Sequence, residues 1–156
     1  MASGVPFTIL RPVVIYGPGA KGNVRTMLRI ARSAWPLPFA SFNNRRSLLG
    51  IDNLIAAVRL AATSPAALGQ TYVVADPTPV ALAQILTVLR AGMGRPPRLV
   101  PVPQRLFATL LAAFSHSDLW DRLGGSLIVD PAKLIAAGWK PVVDPSVGLA
   151  ALARAK

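Results

Sequence analysis

Residues 9–23 read ILRPVVIYGPGAKGN, and the fold turns on how the three glycines in this stretch are understood. Gly17, Gly19 and Gly22 spell G-x-G-x-x-G between an apolar, strand-like run and a stretch of helical periodicity. That is the setting of a dinucleotide-binding loop, in which backbone amides and a helix N-terminus cradle a pyrophosphate. The same residues also spell R-P-x-x-x-Y-G-P-G, a different loop from another part of another kind of enzyme. Two observations count against the first reading. Arg11-Pro12 interrupts what should be a continuous apolar strand, and the first acidic residue after Gly22 is Asp52, well beyond the ~20 residues at which a ribose-binding carboxylate is expected. The loop is therefore expected to be a strand exit and not a cofactor cradle.

Outward from the loop, residues 7–16 read as a buried strand with a break at Pro12, because proline cannot donate to a ladder. Val24, Met27, Leu28 and Ala31 follow the spacing of one apolar helical face, with Arg25, Arg29 and Arg32 opposite. The Trp35-Pro36-Leu37-Pro38 run ends that helix. Asp52 is the expected N-cap of a helix over about residues 53–63, with Leu54, Ala57, Val58 and Ala61 inward. Residues 71–75 form a second strand, and residues 79–93 a helix with Leu82, Ile85, Leu86 and Leu89 inward. A short extended segment over residues 99–102, an apolar helix over residues 103–114, a helical stretch over residues 131–137 and a last helix from about Ser146 complete the pattern. Strands alternating with helices indicate α/β, yet two strong strands cannot make a doubly wound sheet.

The chain has 156 residues, enough for one cored domain. It has no cysteine, which excludes disulfides, thiolate metal sites and cysteine nucleophiles. No apolar run approaches the roughly 18 residues that span a bilayer, so no membrane span is expected. The N-terminal MASGVPFTIL lacks a basic leader, so no signal peptide is expected and the cytoplasm is the default. The net charge of +11 favours anionic partners. Its arginines are scattered apart from Arg45-Arg46 and Arg95/Arg98, and no nucleic-acid-binding motif accompanies them, so nucleic acid is not the expected partner.

Five segments occur in a telling order: LRPVVIYGPG, PLPF, NNRRSLLGIDNLIAA, GQTYVVAD and DPAKLIAAGWKP. Together they resemble the C-terminal half of an extended short-chain dehydrogenase/reductase of the NAD-dependent epimerase/dehydratase family, over about residues 5–152. Within that family the chain looks most like members acting on UDP-hexoses or UDP-N-acetylhexosamines. The resemblance implies a partial Rossmann-like α/β fold, the last strands of a doubly wound parallel sheet with a small, mainly helical substrate-binding domain. Residues 1–156 are expected to form a single substrate-binding fragment, with the N-terminal NAD-binding part absent.

The resemblance also implies roles. Pro12, Val13 and Val14 match the strand end that lines the nicotinamide, although many family members carry a polar residue, often Asn, where Val14 stands. Asn23 matches a position that contacts the sugar-nucleotide diphosphate, and Phe39 lies in the segment that passes the nucleobase. Arg46 matches an arginine that pairs with the diphosphate, where a guanidinium fork outperforms an ammonium. Arg122 is a candidate for a second phosphate arginine. Asp130, Lys133 and Trp139 match a structural D-x-x-K-x-x-x-x-G-W signature and are expected to cap and pack.

Catalysis in this family uses a Tyr-x-x-x-Lys pair, whose lysine lowers the tyrosine pKa while hydride leaves for the nicotinamide. Neither tyrosine here has the partner: Tyr16 is followed by Lys21 at the wrong spacing, and Tyr72 by Asp76. His116, in Ser115-His116-Ser117-Asp118, reads as a surface histidine, and no set of residues suits a metal. No catalytic residue is assigned. The expectation is a nucleotide-sugar-binding portion that is inactive alone. NAD(P) belongs to the complete enzyme, and its binding by this chain alone is not expected. A non-catalytic oligomeric scaffold derived from the family is the alternative, since exposed strands recruit partners, whether a second copy or a protein supplying the missing sheet.

Overall fold

The computed structural model describes residues 4, 6–103, 105, 109 and 125–155, and the statements below concern these. In chain order the elements are β1 (Ile9–Pro12), β2 (Val14–Tyr16), α1 (Gly22–Ala31), β3 (Arg45–Arg46), β4 (Leu48–Gly50), α2 (Ile51–Thr63), β5 (Thr71–Val74), β6 (Val80–Ala81), α3 (Leu82–Gly92), α4 (Ala132–Ala136) and α5 (Pro145–Arg154). The helix expected over residues 103–114 falls mostly outside the described residues.

Pro12 divides the first extended segment as its missing N–H requires. Before it, β1 pairs in parallel with β5; after it, β2 pairs in parallel with β4. The last bond to β5 runs from the Val13 amide to the Val74 carbonyl at 3.1 Å. Beyond that point Leu48 lies against the continuation of β5, its carbonyl accepting the Asp76 amide at 2.8 Å. A short antiparallel pair, β3 with β6, completes the described strands, which outnumber the two that the sequence pattern marks strongly. β3 and β6 span only two residues each, too short for any alternation to register.

β4 is buried on both faces because consecutive side chains point to opposite sides. Leu48 joins a core with Tyr16, Met27, Phe42, Ile85 and Leu149, built by α1, α3 and α5. Leu49 joins a second core with Ala57, Val74, Leu134 and Trp139, built by α2, β5 and α4. Helices thus cover both faces at β4. At β1 and β5 only the second layer is present: Tyr72 and Val74 are buried, while Ile9 is 40% and Val73 37% exposed on the other face.

The periodicity of α1 and α3 holds, with Val24, Met27 and Ala31, and Leu82, Ile85, Leu86 and Leu89, buried. For α2 two expectations are corrected. The helix begins at Ile51 with Gly50 as N-cap, so Asp52 lies in its first turn, where a carboxylate suits the helix dipole. Its inward face runs through Asn53 and Ala57, with Leu54 and Leu60 half-buried, and Val58 is exposed. No helix among the described residues is long and apolar enough to cross a membrane.

Candidate functional site

The glycine loop joins β2 to α1, and its geometry tests whether it holds a dinucleotide. In such a loop the second glycine admits the pyrophosphate and the third lets helix and strand pack closely. Here Gly19 (φ 76°) and Gly22 (φ 59°) need glycine for their left-handed backbone, and a Cβ on either would meet open space. At Gly17 a Cβ would come within 2.8 Å of the Ile51 side chain, so the start of α2 fills the space under the loop. A cavity of about 310 Å³ does lie where β2 and β4 end, walled by Gly17, Pro18, Ile51, Val147 and Ala151. Asp52 is its one charged lining residue among the described residues, and no lysine or arginine lines it there. The residues present do not fit a dinucleotide diphosphate, and the loop is a strand exit.

Beneath that cavity lies a polar knot that motif reading missed. The Asp76 carboxylate, 1% exposed, follows β5 and accepts three hydrogen bonds. They come from the Tyr16 hydroxyl (3.1 Å), the Gly50 amide (3.1 Å) and Asn53 Nδ2 (2.7 Å). Asn53 Oδ1 in turn accepts from the Val142 and Val143 amides at 2.7 and 3.0 Å. The Asn53 carbonyl accepts from Trp139 Nε1 at 3.2 Å. Burial pushes the Asp76 carboxyl above its usual range, although these donors pull the other way. Burial beside Asp76 likewise pushes the Tyr16 phenol far up, so Tyr16 stays neutral and serves as a donor, not as a base. The knot ties β2, β4, α2 and the α4–α5 connection together and is structural.

The residues implied by resemblance are distributed as follows. Pro12, Val13 and Val14 lie where the strand changes partner; Pro12 has no N–H, and that of Val13 is spent on Val74. Val14 is half-buried and packs against the first core. Asn23 sits in the first turn of α1, half-buried, where Lys21 as N-cap gives no side-chain bond and no acidic residue follows, leaving an end suited to an anion. Phe39 is buried and meets Phe42 edge-to-face at 5.2 Å. Arg122 and His116 lie outside the described residues.

Arg46 is half-buried on β3, flanked by Val80 of β6 and by Leu127. The chain returns beside it at 125–129: Ser47 donates its amide to the Leu127 carbonyl at 2.8 Å, and Leu127 donates to Arg45 at 3.0 Å. Burial lowers the Arg46 pKa, and its Nε is buried without a hydrogen-bond partner. A buried guanidinium N–H without a partner leaves one donor open to an acceptor, a state that the Nε of Arg90 shares. Phe39 is itself a member of the first core, in which Val24, next to Asn23, and Val80, paired with Arg46, also pack.

The signature residues cap and pack as expected. Asp130 accepts from the Ala132 amide at 2.8 Å, Lys133 Nζ reaches the Thr71 carbonyl at 3.1 Å, and Trp139 is buried. Arg90, unremarked in the sequence, is 2% exposed and caps the carbonyls of Ser33 (3.1 Å) and Trp35 (3.4 Å) after α1.

No protein-family model matches the chain. It is 35% identical over 141 residues to a UDP-glucose 4-epimerase of Vibrio cholerae, covering 89% of the chain and 43% of that protein. In fold it is similar to human epimerase family protein SDR39U1 (isoform 2), solved with NADPH, at TM-score 0.71 and 20% identity, over 94% of this chain and 48% of that one. It is also similar to the UDP-glucose 4-epimerase of Thermotoga maritima, solved with UDP-glucose, at TM-score 0.63 and 21% identity, over 96% and 45%. The chain thus spans less than half the length of the relatives it matches.

Proposed function

This chain belongs to the NAD-dependent epimerase/dehydratase family of extended short-chain dehydrogenases/reductases, and from that premise we propose that it is the C-terminal, nucleotide-sugar-binding portion of such an enzyme. The observation that carries the reading is Arg46, a half-buried guanidinium with an unmet Nε on the strand where the family's diphosphate arginine stands. Asn23, at the uncapped start of α1, serves the same diphosphate, and the segment at Phe39 passes the base. Arg122 is carried over from the resemblance alone. The ligand is a UDP-sugar.

NAD(P) supplies the hydride acceptor in the complete family enzyme, and this chain contributes only the strand end at Pro12–Val14. With no Tyr-x-x-x-Lys pair in the sequence, and a glycine loop among the described residues that does not fit the cofactor diphosphate, the chain alone is expected not to turn over substrate. A UDP-hexose is expected to raise the melting temperature of the chain, and Arg46→Ala to abolish the rise. An unchanged melting temperature at millimolar UDP-hexose contradicts the reading.

A further inference from the structure

Five of the chain's 17 lysines and arginines line two neighbouring depressions. Arg25 and Arg29 lie on the exposed face of α1 and Arg32 is its C-cap, at spacings of four and three residues that set their side chains about one turn apart. Two adjoining depressions of about 340 and 690 Å³ open beside them and share Arg32 and Ala155 in their walls. The second brings in Arg95, just beyond α3, and Arg154, the last residue of α5. α3 and α5 converge here because Gly92 lets them touch: a Cβ on it would fall 2.6 Å from the Ala150 carbonyl oxygen. Five arginines therefore surround one continuous groove.

Neither depression is lined by a carboxylate or an aromatic ring. Among the described residues no salt bridge engages any of the five; Arg95 donates only to the Ser33 carbonyl, at 3.4 Å. Exposed like charges repel one another, and a low-dielectric concavity focuses their field outward. The occupant must carry several negative charges at short spacing, and guanidinium forks match phosphate oxygens. A single-stranded nucleic acid would call for rings on which bases stack, and among the described residues none lines either depression.

We propose that this groove binds a linear oligophosphate, either free or as the polyphosphate tail of a nucleotide. None of Asn23, Phe39 and Arg46 lines it, so the two ligand readings stand or fall separately.

The test is calorimetric titration of the 156-residue chain with inorganic tripolyphosphate at about 0.15 M salt, where exposed charges are screened beyond about 8 Å. Saturable binding is expected, weakened at least about tenfold by combined Arg29→Ala, Arg32→Ala and Arg154→Ala, and unchanged by Arg46→Ala. These three positions are exposed, so the melting temperature should hold; if it falls, Arg29→Gln with Arg32→Gln replaces the triple variant. ATP binding no tighter than tripolyphosphate assigns the free chain as ligand, and tighter binding assigns a nucleotide tail. No saturable binding, affinity unchanged in the variant, or duplex DNA bound more tightly than tripolyphosphate overturns the proposal.

Discussion

Asp76 is a buried carboxylate with three donors and, among the described residues, no salt bridge to a cation. Its folded-state pKa is raised above the ordinary 3.8, so protonation favours the fold. Its contribution is full below that value and is lost as pH rises through the folded-state pKa. Asp144, exposed at the start of α5, behaves oppositely. Ser146 donates its hydroxyl at 2.6 Å and its amide at 2.8 Å to Asp144, which lowers the pKa, so its contribution is present above 3.8 and lost as pH falls. Denaturant unfolding from about pH 4 to 7 should show the stability of the parent falling relative to Asp76→Asn, which cannot ionise. A difference flat in pH contradicts the assignment. At neutral pH Asp76→Asn is still expected to cost about 1–3 kcal/mol, because an amide cannot accept from all three donors. Asn53→Ala is expected to cost about 3 kcal/mol by the same measurement, since it strands the Val142 and Val143 amides and unties Asp76.

At the scale of elements, α5 is seated by two glycines. A Cβ on Gly148 would lie 2.8 Å from the Tyr16 ring, and one on Gly92 would press the α5 backbone at Ala150. Either Gly→Ala change should destabilise by about 1–3 kcal/mol in denaturant unfolding, against the gain in helix propensity. A neutral or stabilising result would show that α3 and α5 pack more loosely than described. The apolar faces of α1 and α3 were legible in the sequence because one continuous core covers each of them. The face of α2 was misjudged at Val58 because Leu134 and Trp139, far along the chain, decide what is covered. Capping by Asp130 and packing by Trp139 could be anticipated from the motif. The Asp76–Asn53 knot could not, since it joins residues 23 to 90 positions apart without periodicity. Arg46 is marked as a candidate by the order of motifs, and its unmet Nε is visible only through burial.

At the scale of the whole molecule, the parallel pair β1–β5 is covered by the described residues on one face only. Phe7 is 64% exposed, and Ile9 and Val73 are exposed as well. An apolar sheet face of this kind favours a covering partner, in keeping with a chain less than half as long as its relatives. Light scattering at micromolar concentration is expected to give a dimer or larger species, and Ile9→Lys with Val73→Lys to return it to monomer. A monomeric parent contradicts this. If Arg46 anchors the diphosphate of a UDP-sugar, as proposed, its removal must weaken binding of that ligand. Calorimetric titration with UDP-glucose tests it most directly: saturable binding is predicted, weakened about 10- to 100-fold by Arg46→Ala and less by Arg46→Lys. Absence of binding in the parent, or equal affinity in the Arg46→Ala variant, would contradict the account.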